Sequence, residues 1–141
     1  MTPSQVSLVQ DSFAKVVPIA DQAAVIFYDR LFDIAPQVKP LFKGDMVKQR
    51  RALMGTLGVV VNGLSNLPSV LPAASALAKK HVTYGVEASH YSVVGAALLW
   101  TLEKGLGEAW TPEVASAWTD AYGTLSGFMI GEAYGHQAAA E

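Results

Sequence analysis

Apolar residues recur at helical spacing through every segment of this chain long enough to show a period, and the two-residue alternation of a half-buried strand is absent. Val6, Val9, Phe13 and Val16 share one helical face near the N-terminus. Ala24, Phe27 and Leu31 point inward on a second helix, and Leu53, Leu57, Val60 and Leu64 repeat the pattern on a long third. Tyr91, Val94, Leu98 and Leu102 mark another.

Breakers and caps punctuate these faces. Thr2-Pro3-Ser4-Gln5 reads as an N-cap, a proline in the first turn and a capping-box glutamine. Pro18 with Asp21 breaks the first helix, and Pro36 stops the second. A short tight segment, Val38-Lys39-Pro40-Leu41-Phe42, leads to a Lys43-Gly44 turn and to Asp45 as the next cap. Pro68 and Pro72 predict a short helix ending near His81. Ser89 is placed to cap its successor, Gly105 and Gly107 to close it, and Thr111-Pro112-Glu113 to open the last helix. The expectation is a single all-α domain over residues 1–141, with about six to eight helices of uneven length turning at proline corners.

At 141 residues such a domain buries about two-thirds of its unfolded surface. Half the chain is apolar and only 16% is charged, which suits a protein with extra interior to cover, such as a cofactor pocket or a subunit contact. The net charge of −2 gives no case for nucleic acid or anionic lipid as a partner. With no cysteine, disulfides, thiolate catalysis and sulfur-built zinc sites are excluded. The N-terminus is too polar for a signal peptide, and the nearly uncharged runs fall short of the ~18 residues of a membrane span. A soluble cytoplasmic protein is expected.

Few residues remain for redox or binding chemistry. The chain has three histidines, and His81 follows Lys79-Lys80, where spacing alone reads as a solvated helix end. His90 and His136 read as surface residues. Tyr28 alone reads as a core tyrosine bonded to backbone, Gln49 as a solvated helix residue, and Leu53 and Phe42 as core packing.

Taken in order, these residues resemble a known family: the bacterial single-domain globins related to the haem domain of flavohaemoglobins. Phe27-Tyr28-Asp29-Arg30-Leu31-Phe32 is similar to the family's second-helix motif, and Pro36 to Phe42 to its following corner. Gln49 and Leu53 stand four residues apart where the family has its distal Gln and Leu. Lys80-His81 with His90-Tyr91-Ser92-Val93-Val94-Gly95 resembles the proximal His and Tyr, and Ala117-Trp118 with Ala121-Tyr122-Gly123 the last-helix signature.

The resemblance implies a globin fold around haem b, with His81 as the iron ligand. It implies Tyr28, Gln49, Leu53 and Phe42 on the distal side, and Tyr91 and Glu132 behind the proximal histidine. Glu132 falls ten residues after Tyr122, one short of the commonest family spacing, which is ~100° of helix. Haem iron held by a neutral imidazole keeps its sixth site open to a gas, and a partner on the imidazole's other nitrogen fixes the ring. Gln49 is a poor iron ligand, so a bis-histidine haem is disfavoured. O2 on ferrous haem carries negative charge, which an O–H or N–H donor stabilises by about 1.5–3 kcal/mol, or roughly 10- to 150-fold in retention.

Two functions need this same pocket. One is reversible binding of O2, and of NO or CO, with slow release. The other is nitric-oxide dioxygenation, for which flavohaemoglobins add a flavin- and nicotinamide-binding reductase. A chain of 141 residues leaves no room for that domain, so a separate reductase is the expected electron source. One further pattern is independent of haem: Gly123, Gly127, Gly131 and Gly135 recur every four residues. At about 0.8–1 kcal/mol each relative to Ala, they cost the last helix roughly 3–4 kcal/mol. The reading is close internal packing at Gly123 and Gly127, a homodimer contact at Gly131, and either contact or fraying at Gly135.

Overall fold

A computed structural model describes the backbone of residues 2–83 and 86–140, and side chains among these except at residue 83 and residues 134–140. Six α-helices are described: α1 (Pro3–Val16), α2 (Ala20–Ile34), α3 (Met46–Gly63), α4 (Leu67–Thr83), α5 (His90–Leu106) and α6 (Pro112–Ala140). Four short 3₁₀ turns join or flank them, and no strand occurs among the described residues. Gly135 and His136 lie outside the described side chains.

Local chemistry sets most boundaries. Thr2 Oγ1 accepts from the Gln5 backbone N–H and the Gln5 side chain accepts from the Thr2 N–H, completing the capping box. Asp45 caps α3 by accepting from the Val47 N–H at 2.8 Å, and Thr111 does the same for Val114 at 3.2 Å. Helix α5 ends at Gly107, whose φ of 55° lies in the left-handed region that an L side chain avoids.

Two boundaries depart from expectation. Helix α4 runs 17 residues rather than being short, and it ends near His81 as expected, with His81 in its last turn. Pro68 falls in the first turn, where its missing N–H is harmless, and Pro72 removes only the bond to the residue 68 carbonyl, which the rest of the helix outweighs. Ser89 occupies the cap position of α5 but makes no side-chain cap bond; His90 Nδ1 instead accepts from the Glu87 N–H at 3.0 Å.

Packing follows the predicted faces. Helix α2 lies against α5, while α1 and α4 both lie on α6. Val9, Phe13, Val16, Phe27, Tyr28, Leu31, Leu98, Leu102 and Trp118 are buried in one core. Trp118 Nε1 donates to Ser12 Oγ at 2.8 Å, and that hydroxyl donates to the Leu8 carbonyl, so the core's polar atoms are paired. A second core joins Ala74 and Ala78 of α4 to Tyr91 of α5 and Met129 of α6.

The glycine stripe does not pack internally. Gly123, Gly127 and Gly131 are exposed, and a Cβ added at any of them would meet nothing within 4 Å. The close approach is made by Gly95 instead, where a Cβ would lie 2.6 Å from Tyr122 Cε2. Contrary to the expectation from run length, Met46–Val82 is long and apolar enough to cross a membrane by length and composition.

Candidate functional site

Tyr28 is held on α2 among aromatic rings, a direct result of the spacing in Phe27-Tyr28-Asp29-Arg30-Leu31-Phe32. Its ring centroid is 4.9 Å from Phe27, 6.0 Å from Phe32 and 5.4 Å from Phe42, and Phe32 and Phe42 are themselves 5.4 Å apart. The 3₁₀ turn Pro36–Leu41 brings Phe42 back onto α2. These contacts leave Tyr28 4% exposed. Its hydroxyl nevertheless has a partner: Gln49 Nε2 on α3 donates to it at 3.0 Å. Burial pushes the phenol above its ordinary range; the Gln49 bond and the Arg50 charge pull the other way and are outweighed. The hydroxyl therefore keeps its proton, and the Gln49 bond leaves that proton available to donate elsewhere.

His81 and Tyr91 form the other half. His81 in the last turn of α4 is half-buried, and its Nδ1 lies 3.5 Å from the Tyr91 hydroxyl. Burial lowers the histidine pKa, so the ring is neutral and able to use a nitrogen lone pair. Were Nε2 to hold a metal, Nδ1 would carry the proton, and the Tyr91 oxygen at 3.5 Å would be its acceptor. Tyr91 is anchored from below, because the Tyr122 hydroxyl on α6 donates to the Tyr91 backbone carbonyl at 2.5 Å. The Tyr122 ring reaches that carbonyl over the bare backbone of Gly95. Burial and the neighbouring Tyr91 push the Tyr122 phenol well above its ordinary range, so it donates at any physiological pH.

Glu132 is exposed, and no hydrogen bond joins it to His81 among the described residues. The inward position eleven residues beyond Tyr122 belongs to Ala133, which packs on the second core. Ten residues, rather than eleven, rotate the carboxylate off that face. The Tyr122–Tyr91 link and the role of Gly95 were not assigned from sequence; the signal was the glycine closing His90-Tyr91-Ser92-Val93-Val94-Gly95, ordinary for a helix interior only where another group takes the vacated space.

The globin family model matches residues 25–129. The chain is 31% identical over 134 residues to a flavohemoprotein of Rhodopirellula baltica, covering 93% of this chain and 33% of that protein. It is 35% identical over 117 residues to a flavohemoprotein of Bordetella parapertussis, covering 81% of this chain and 29% of the relative. The chain thus spans about a third of the length of these curated relatives. A bacterial globin from Campylobacter jejuni superposes with a TM-score of 0.82 at 26% identity, covering 97% of this chain and 99% of that one.

This chain belongs to the globin family, with an all-α globin fold and haem b as its cofactor.

The residues present fit that group. Between Met46 and Val82, α3 and α4 carry a long apolar stretch, little of which is buried. Leu53, Met54 and Leu57 are left half-exposed, and Val61 is the buried residue of α3. Gln49 stands near the start of α3 and His81 in the last turn of α4, so the two helices that carry this apolar stretch also carry a residue of each pair. A flat apolar ligand with a central metal accounts for it better than a lipid bilayer, which would leave His81 and Gln49 without a purpose.

Proposed function

We propose that this chain binds O2 reversibly at ferrous haem, with His81 as the axial ligand and slow release governed by Tyr28 and Gln49. The observation that carries the reading is the 3.0 Å bond from Gln49 to the buried Tyr28 hydroxyl, in a chain that also holds a half-buried histidine beside Tyr91 on α4. Haem supplies the iron site that takes a diatomic gas. The chain's residues do the rest. His81 holds and orients the group, Tyr91 fixes the imidazole, and Leu53 and Phe42 exclude water and wall the distal side. Tyr28 offers its proton to negative charge developing on the ligand, and Gln49 strengthens that donor by donating to the same oxygen.

The similarity to flavohemoproteins favours a second reading, nitric-oxide dioxygenation with electrons from a separate reductase. The same distal donors serve it, since they retain O2 until NO arrives. Absorption spectra of the purified protein, ferric and then reduced under CO, test the shared foundation. A haem spectrum that is lost or altered in His81→Ala supports the assignment, and one unchanged in that variant contradicts it.

A further inference from the structure

The net charge of −2 hides a sharp split. Between residues 35 and 83 lie seven of the ten cations and, of the twelve acids, only Asp45. The formal charge there is +6, which leaves −8 for the remainder of the chain. This cationic stretch is the one that holds Phe42, Gln49, Leu53 and His81.

The charges gather at two places. Lys39, Lys43, Lys48, Arg50 and Arg51 flank the 3₁₀ corner and the first turns of α3, and Lys79 and Lys80 precede His81. All but the half-buried Arg50 are exposed. Lys39, Lys43, Lys48, Arg50 and Arg51 have no carboxylate within ion-pair distance among the described residues; the ion pair found there joins Arg30 to Asp33. Lys39 instead lies 5.9 Å from the Phe32 ring, and the Arg50 charge is felt at Tyr28, which ties this patch to the distal residues. Two large apolar side chains stand exposed among these cations, Val47 at 45% and Val82 at 42%. An uncovered Val47 beside Lys43, Lys48 and Arg51, which have no carboxylate within ion-pair distance among the described residues, gives this cluster the composition of a small transient interface.

We propose that the basic cluster at the 3₁₀ corner and the start of α3 is the docking surface for an acidic one-electron donor protein, which delivers the electron that returns ferric haem to ferrous. The proposal rests on the haem reading above. An isolated cationic patch on an otherwise acidic chain suits a small acidic protein rather than an extended polyanion, because the −8 remainder repels a surface that reaches past the patch. The step is a single electron passed from the reduced donor to ferric iron, leaving the donor oxidised by one electron.

The test uses the haem-loaded protein and a reduced flavodoxin as the acidic probe. Its second-order rate of haem reduction is expected to fall by about tenfold or more as salt shortens the Debye length from about 30 Å to 8 Å. Lys43→Glu with Lys48→Glu should lower the low-salt rate by about tenfold and flatten its salt dependence. Calorimetric titration with oxidised flavodoxin, which needs no turnover, should show the same loss of binding. Reduction by photogenerated neutral lumiflavin semiquinone should be unchanged by the variant; success there followed by a CO adduct keeps the haem reading intact whatever the docking result. A salt-independent flavodoxin rate, or one unaffected by charge reversal, overturns the proposal. So does binding to phosphatidylglycerol-containing vesicles at physiological salt that the reversal abolishes, which would assign the patch to a membrane.

Discussion

Gln49 donates to the hydroxyl of Tyr28 at 3.0 Å across 21 residues of sequence, joining α3 to α2 through one polar contact inside an aromatic cluster. The bond uses a lone pair of the phenol and leaves its proton, so Gln49 reinforces Tyr28 as a donor rather than competing with it. Replacing Gln49 by Leu should speed O2 dissociation by about threefold to tenfold, less than loss of the hydroxyl itself. Added to Tyr28→Phe, Gln49→Leu should have a much smaller effect, because the two act as one unit. Stopped-flow displacement of O2 by CO in the four proteins measures both. Additive effects would show that each residue contacts the ligand independently.

The pH dependence follows from the direction of the Tyr28 shift. Burial raises its pKa above the ordinary tyrosine value of about 10, so the folded protein favours the neutral phenol. The associated stability is fully present below pH ~10 and is lost as pH rises through the folded value. The O2 dissociation rate should therefore stay flat from neutral pH to about pH 9.5 and rise only above the ordinary tyrosine range. A rise near pH 8 would mean that another group governs release.

Among the described residues, Tyr91 and not Glu132 lies within reach of the His81 ring, the proposed iron ligand. Resonance Raman spectra of the ferrous protein should show a shifted iron–histidine stretch in Tyr91→Phe and an unshifted one in Glu132→Gln. A shift in Glu132→Gln would place the carboxylate at the imidazole in the haem-loaded protein. Tyr122→Phe, which removes the donor to the Tyr91 carbonyl, should move the same band in the direction of Tyr91→Phe.

Glycines on this fold have opposite signs. Gly95→Ala places a Cβ 2.6 Å from the Tyr122 ring and should destabilise the protein by about 1–3 kcal/mol. Gly123→Ala or Gly127→Ala meets open space and should stabilise α6 by about 0.8–1 kcal/mol each. Denaturant melts of the three variants distinguish the two classes. Destabilisation at Gly127 would reveal a partner surface packed there.

Helix faces and ends were legible because they depend on neighbours in sequence: Thr2, Asp45, Thr111 and Gly107 act within a few residues, and Phe13 or Leu31 shows its face by spacing. Long-range closeness was not. Nothing near Gly95 says that Tyr122, 27 residues on, fills the space its side chain leaves, and the glycine repeat on α6 suggested burial where none occurs. The extent of α4 was hidden because Pro72 breaks only one backbone bond in a helix otherwise supported by packing. The candidate site residues stood out as a set through family motifs, whereas the contacts linking Gln49 to Tyr28 and Tyr122 to Tyr91 come from the tertiary fold. The charge split between residues 35–83 and the rest was present in the sequence and concealed by summing it.

The central claim is that a buried phenol, kept protonated and backed by Gln49, sets how long this globin retains O2. Measuring the O2 dissociation rate of the ferrous protein beside that of Tyr28→Phe tests it most directly. Loss of the hydroxyl should raise the rate by about one to two decades, the equivalent of one hydrogen bond to a charged acceptor. An unchanged rate in a variant that still forms a normal CO adduct would contradict the claim.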